Sequence, residues 1–124
     1  MKEIKILTID DSGIMRKIIK GHLAKIGYSN VIEASNGKEG LKKLSEEKID
    51  LILCDWNMPE MNGLQFVQRV REEKNYGNIR IIMLTTVTTQ DEVLTALKAG
   101  ANSYITKPFK PENLKEKIEE VFKD

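Results

Sequence analysis

LILCDWNMPEMNG, residues Leu51 to Gly63, places four consecutive apolar residues directly before a carboxylate, Asp55, with Pro59 and Gly63 soon after. A short apolar run without polar alternation, bounded by loop-forming residues, reads as a strand covered on both faces, the pattern of a central strand in a parallel sheet. An acid at the end of such a strand needs a reason, because a desolvated carboxylate is costly unless something pairs with it. Outward from this stretch, similar runs recur: IKILTI (Ile4 to Ile9), VIEA (Val31 to Ala34), IRIIML (Ile79 to Leu84) and SYIT (Ser103 to Thr106). Helical spacing fills the gaps between them. Met15, Ile18, Ile19, His22, Leu23 and Ile26 predict a first helix stopped by Gly27. Leu41 and Leu44 predict a second, and Leu64, Val67 and Val70 a third. Val93, Leu94 and Leu97 predict a fourth ending at Gly100, and Leu114, Ile118, Val121 and Phe122 a fifth that starts at Pro111. Strict alternation of five strands with five helices predicts an α/β fold, a single doubly wound five-stranded parallel sheet.

The bulk properties exclude several classes. At 124 residues the chain has the size of one domain with its own core. A composition of 40% hydrophobic and 31% charged residues with net charge +1 favours neither disorder nor a nucleic-acid partner. No apolar stretch approaches the roughly 20 residues of a membrane helix. The N-terminus, MKEIKILTID, is too short and acid-interrupted for a signal peptide. The one cysteine, Cys54, reads as a buried structural thiol. The expectation is a soluble, cytoplasmic protein without a membrane partner.

In open α/β sheets, ligands bind beyond the carboxyl ends of the strands. There the first strand delivers Asp10 and Asp11, the third Asp55, the fourth Thr85 and Thr86, and the fifth Thr106 and Lys107. Three converging carboxylates repel one another and call for a cation among them. Lys107 is one candidate and a hard divalent ion such as Mg2+ another, since magnesium takes oxygen ligands and uses one or two carboxylates plus a phosphate. Nucleotide binding fits poorly: the first loop reads DDSGIM, with two acids where a glycine-rich cradle would stand, and NGKEG lacks P-loop spacing. A carboxylate can instead accept a phosphoryl group itself, given a charge-neutralising metal, a cation on the phosphoryl oxygens and a hydroxyl donor. Asp10, Asp11, Lys107 and Thr85 can supply or hold these.

The stretches IDDS, ASNGKEGL, CDWNMPEMNGL, MLTT and ANSYITKPF, taken together and in order, resemble the receiver domain of two-component signalling, in particular its single-domain chemotaxis regulators, across nearly the whole chain. The resemblance implies a flavodoxin-like fold with strand order 2-1-3-4-5 and a receiver domain spanning 1–124. It implies that Asp55 is the phosphorylation site. Asp11, Asp55 and the backbone carbonyl of Asn57 would then be the magnesium ligands, with Asp10 acting mainly through metal-bound water. Lys107 would pair with the acids and then with a phosphoryl oxygen, Thr85 would supply a hydroxyl, and Tyr104 would be the switch aromatic. In the family's KPF motif a cis bond before the proline aims the lysine inward, although trans is the default for an X-Pro bond. A histidine kinase would be the donor. The output surface would lie on helix four, strand five and helix five, with a flagellar switch protein as one possible target. With no segment after EEVFKD, output is expected by association.

Other readings stand beside these. Met58, Pro59, Met61 and Gly63 shape the loop. Trp56 is a partner anchor or a reporter beside the site. His22, on an apolar stripe, reads as a packing or boundary residue without an evident partner. A haloacid-dehalogenase-type phosphatase also uses an aspartyl phosphate, but its second acid lies two positions after the first-strand nucleophile, where this chain has Ser12. A pseudo-receiver scaffold would have lost an acid or the lysine, and neither is missing. Asn57, Thr86 and Val87 flank the path of a hydrolytic water; the chain carries Thr86 and Val87 where the chemotaxis pattern has alanine and glutamate. This predicts slow self-dephosphorylation and a separate phosphatase.

Overall fold

A computed structural model describes residues 3–86 and 89–123. The elements run β1 (Ile6–Ile9), α1 (Gly13–Lys25), β2 (Val31–Ala34), α2 (Gly37–Glu46), β3 (Leu51–Asp55), α3 (Gly63–Glu72), β4 (Arg80–Thr85), α4 (Gln90–Ala99), β5 (Ser103–Thr106) and α5 (Pro111–Val121). The five strands are parallel in the order β2-β1-β3-β4-β5, which is the expected fold. Among the described residues no helix is long and apolar enough to cross a membrane.

Local chemistry sets the helix ends. Ser12, Asn36, Asn62 and Thr89 each accept a hydrogen bond from a backbone N–H in the first turn of α1, α2, α3 and α4, and Asn62 with Gln65 forms a capping box. Pro111 opens α5, where its missing N–H costs nothing. Gly100 ends α4 at φ +121°, a conformation side chains resist.

Four strand boundaries differ from the sequence reading, one of them the end of β4, at Thr85 and not Leu84. β1 begins at Ile6, not Ile4, because the ladders to β2 and β3 begin there. β3 extends through Asp55, which pairs with Leu84. β4 starts at Arg80, because the Ile79 N–H is taken by the Tyr76 carbonyl at the end of a 3-10 turn, Lys74–Tyr76, that carries no periodic signal.

The sheet divides the core in two. Leu7, Ile9, Ile52, Cys54, Ile81 and Met83 pack against α2, α3 and α4 on one face. On the other, Ile6, Leu51, Leu53, Ile82, Leu84 and Ile105 pack against α1 and α5. The apolar stripes of two helices are corrected by this packing. In α3 Phe66 is fully buried along with Val67 and Val70, while Leu64 is half-buried. In α4 only Ala96 is buried, and Leu94 and Leu97 are 45% and 40% exposed, because small Ala96 seats the helix on the sheet and turns the leucines outward.

Candidate functional site

Strand alternation sorts the residues at the carboxyl edge. Asp55 pairs in register with Leu84, and Leu84 with Ile105, so these side chains share the α1/α5 face. Lys107 lies two residues past Ile105, and Asp10 two past Thr8, which pairs with Leu53 on that face. Thr85 and Tyr104 belong to the opposite face, with Met83. The edge is therefore an acid–lysine half beside a threonine–tyrosine half.

In the first half, Lys107 Nζ donates to Asp55 Oδ1 at 2.7 Å and reaches Asp10 Oδ2 at 3.5 Å. The Lys107 N–H donates to the Thr85 carbonyl at 2.8 Å, and the Lys107–Pro108 bond is cis, as in the family's KPF motif. Asp10 Oδ1 accepts the Ser12 N–H at 2.9 Å. One carboxylate oxygen from each of Asp10, Asp11 and Asp55 falls within a 4.8 Å cluster, with Asp10 and Asp55 buried and Asp11 exposed. Burial pushes the Asp55 carboxyl above its ordinary range; the Lys107 ammonium and the Asn57 N–H work against this, and the Asp10 charge adds to it. Among the described residues Lys107 is the one cation paired with these acids. One ammonium against three carboxylates leaves excess negative charge on hard oxygen donors, so the donor set fits a divalent cation.

The loop after Asp55 is held close to it. The Trp56 N–H donates to the Leu84 carbonyl at 3.0 Å, and the Gly63 N–H to the Trp56 carbonyl at 2.8 Å. A Cβ on Gly63 would lie 2.6 Å from the Asp55 carbonyl oxygen and 2.9 Å from Trp56 Cα, so only glycine lets α3 start here. Trp56 is half-buried against the α2/α3 core and Asn57 is exposed. Cys54 is fully buried, and burial together with the Asp55 and Asp10 charges raises its thiol pKa, leaving an inert structural group.

On the second half Thr85 is buried and Thr86 exposed, while Val87 lies outside the described residues. Tyr104 is half-buried, and its ring faces Lys117 of α5, whose Nζ is 5.3 Å from the ring centroid.

The structure adds residues that sequence patterns do not reveal. Arg16 donates through Nη1 to the main-chain carbonyl of Asp10 and through Nε to Glu33 Oε1 at 3.0 Å, and Lys20 reaches Glu33 Oε2 at 3.2 Å. Burial would raise the Glu33 pKa, but the Lys20 and Arg16 hydrogen bonds and charges outweigh it and hold the carboxyl below its usual range. Only the pairing of β2 with β1 brings these distant residues together. His22 is also corrected: it has a partner, the carbonyl of Phe109, 3.3 Å from Nε2.

This doubly wound α/β sheet, with paired acids, a lysine and a buried threonine on its carboxyl edge, defines a phosphoacceptor switch domain. The chain belongs to the response regulator receiver domain family, whose model matches residues 6–119. It is 51% identical over 119 residues to a chemotaxis protein CheY homolog of Campylobacter jejuni, covering 95% of this chain and 92% of that one. It is 50% identical over 119 residues to chemotaxis protein CheY1 of Helicobacter pylori, covering 95% and 96%. The solved structure of Vibrio cholerae chemotaxis protein CheY4 superposes with a TM-score of 0.89 at 36% identity, covering 96% of this chain and 98% of that one. Ser12, where a dehalogenase-type phosphatase would carry its second acid, instead caps α1.

Proposed function

We propose that Asp55 accepts a phosphoryl group from the phosphohistidine of a histidine kinase and that the phosphorylated chain acts in a chemotaxis pathway by binding a target protein. The observation that carries this is the convergence of Asp10, Asp11 and Asp55 around Lys107 at one sheet edge. An Asp55 carboxylate oxygen attacks phosphorus, the P–N bond breaks, and the electron pair leaves with the imidazole, which takes up a proton. Lys107 transfers its ammonium from the bare carboxylate to a phosphoryl oxygen, and the Thr85 hydroxyl donates to another. The acids Asp10, Asp11 and Asp55 and the backbone carbonyl of Asn57 would hold Mg2+. That ion supplies neutralisation of the charge gathered on phosphoryl and carboxylate oxygens. Drawing Thr85 toward Asp55 vacates space on the opposite face and lets Tyr104 turn inward, the differential contact that a switch requires.

The resemblance between this chain and its chemotaxis relatives supports a flagellar switch protein as target, on the face formed by α4, β5 and α5, and a cytoplasmic location. Thr86 and Val87 beside the water path favour slow self-dephosphorylation, with a separate phosphatase ending the signal. The full span 1–124 is read as one receiver domain. Incubation with acetyl phosphate and Mg2+, borohydride trapping and mass mapping tests the assignment. An adduct confined to Asp55, dependent on Mg2+ and absent in Asp55→Asn, is expected; an adduct on Asp10 would overturn it. Asp11→Ala should weaken Mg2+ binding severely, as read by Trp56 fluorescence.

A further inference from the structure

Three features meet between α1 and the loop joining β5 to α5. His22 Nε2 lies 3.3 Å from the Phe109 carbonyl oxygen. The His22 and Phe109 rings meet edge-on, with centroids 5.7 Å apart and planes at 76°. An apolar cavity of about 140 Å³ lies between the two elements, lined by Met15, Ile18, His22, Lys107, Pro108 and Phe109. A carbonyl can only accept, so His22 presents Nε2–H. Among the described residues this is the one hydrogen bond between α1 and residues 107–110.

The loop that carries Lys107 is thus tied at two points. On the sheet side the Lys107 N–H is held by the Thr85 carbonyl at 2.8 Å. Two residues later the Phe109 carbonyl is held by His22. Phe109 packs against the α1/α5 core, but between the ties the loop also borders the cavity, so the His22 hydrogen bond adds a directional hold that apolar contact lacks. Lys107 forms part of that cavity's wall, and its ammonium sits 2.7 Å from Asp55 Oδ1. Displacements well under an ångström matter at that distance.

We infer that His22 is a positioning residue for Lys107: by fixing the Phe109 carbonyl to α1, it sets where the lysine ammonium stands relative to Asp55. His22 does not touch the reacting atoms. The inference rests on the proposed phosphoacceptor role of Asp55 for its kinetic consequence, and on geometry alone for its structural one.

The test uses the 124-residue chain and acetyl phosphate with Mg2+. His22→Phe keeps a ring on Phe109 and removes the donor, whereas His22→Gln keeps a donor. Loss of one neutral hydrogen bond corresponds to about a fivefold change, so His22→Phe should phosphorylate about fivefold more slowly than wild type. His22→Gln should recover most of the rate. In a Lys107→Ala background His22→Phe should have no further effect, since a residue acting through Lys107 cannot act twice. A merely structural role would instead add to the loss. In parallel, the Lys107 side-chain Cε resonance, read by NMR without any phosphodonor, should move in His22→Phe and return toward wild type in His22→Gln. A wild-type rate in His22→Phe, a full additive loss beside Lys107→Ala, or an unmoved Lys107 resonance would each overturn the assignment. Failure of wild type to take up phosphate would instead count against the proposed function, with the resonance still deciding the role of His22.

Discussion

Replacing Arg71 with methionine removes a guanidinium that closes the junction of α3, α4 and β5 and, among the described residues, pairs with no acid. Its Nε donates to the Gly100 carbonyl at 3.0 Å, Nη1 to the Tyr76 carbonyl at 2.9 Å, and Nη2 to the Ile79 carbonyl at 2.8 Å and Asn102 Oδ1 at 3.1 Å. Tyr76 O and Asn102 Oδ1 keep other donors, the N–H groups of Ile79 and Ile81. The Gly100 and Ile79 carbonyls lose the side-chain donor that holds them. Hydrogen bonds from a charged group contribute about 1.5–3 kcal/mol each when desolvated, so the two carbonyls that depend on Arg71 set a gross loss of about 3–6 kcal/mol. Burial, followed by repulsion from Arg80, lowers the Arg71 pKa, so removing the charge returns part of this. Methionine keeps much of the aliphatic stem that packs on Gly100, where a Cβ would meet Arg71 Cγ at 2.5 Å. The net expectation is destabilisation by about 2–3 kcal/mol, or roughly 8–12 °C in Tm for a domain of this size. Urea unfolding followed by far-UV circular dichroism measures it, with an unchanged m-value. A loss below about 0.5 kcal/mol, the range of ordinary surface substitutions, would refute the clamp.

Other perturbations probe the site and its surroundings. Exposed Glu60 holds φ +68°, so Glu60→Gly relieves a left-handed backbone costing about 1–2 kcal/mol against an unfolded-state entropy penalty of about 0.5–1 kcal/mol; a net gain of about 0.5–1 kcal/mol in chemical denaturation is expected, and a loss would contradict it. Glu33 has a depressed folded-state pKa, so its ion pairs add stability above the unfolded-state pKa that is lost as pH falls through the folded value. Wild type should therefore exceed Glu33→Gln at neutral pH by about 0.5–1 kcal/mol after solvent screening, the gap closing in acid; a gap that widens there would reverse the sign. The variant Thr86→Ala with Val87→Glu should lose its phosphoryl group faster than wild type after donor removal, as followed by decay of the trapped adduct, and equal decay would exclude control by these positions.

The alternation of apolar runs with helical spacing determined the α/β class, the five strands and the carboxyl-edge placement of Asp10, Asp11, Asp55, Thr85 and Lys107. These are local properties: strand and helix periods, capping residues and loop glycines act within a few positions of themselves. The order of strands entered through resemblance, because nothing in five similar apolar runs says which lie side by side. Tertiary structure alone decided which side chains share a face and which distant groups meet. Register divided the acid–lysine half from the Thr85–Tyr104 half, and seating α4 on Ala96 turned Leu94 and Leu97 outward. The partners of Arg16, Arg71 and His22 are mostly backbone carbonyls, which every residue carries. Such an acceptor leaves no mark in the sequence, and only the folded path of the chain brings a particular one within reach of a donor.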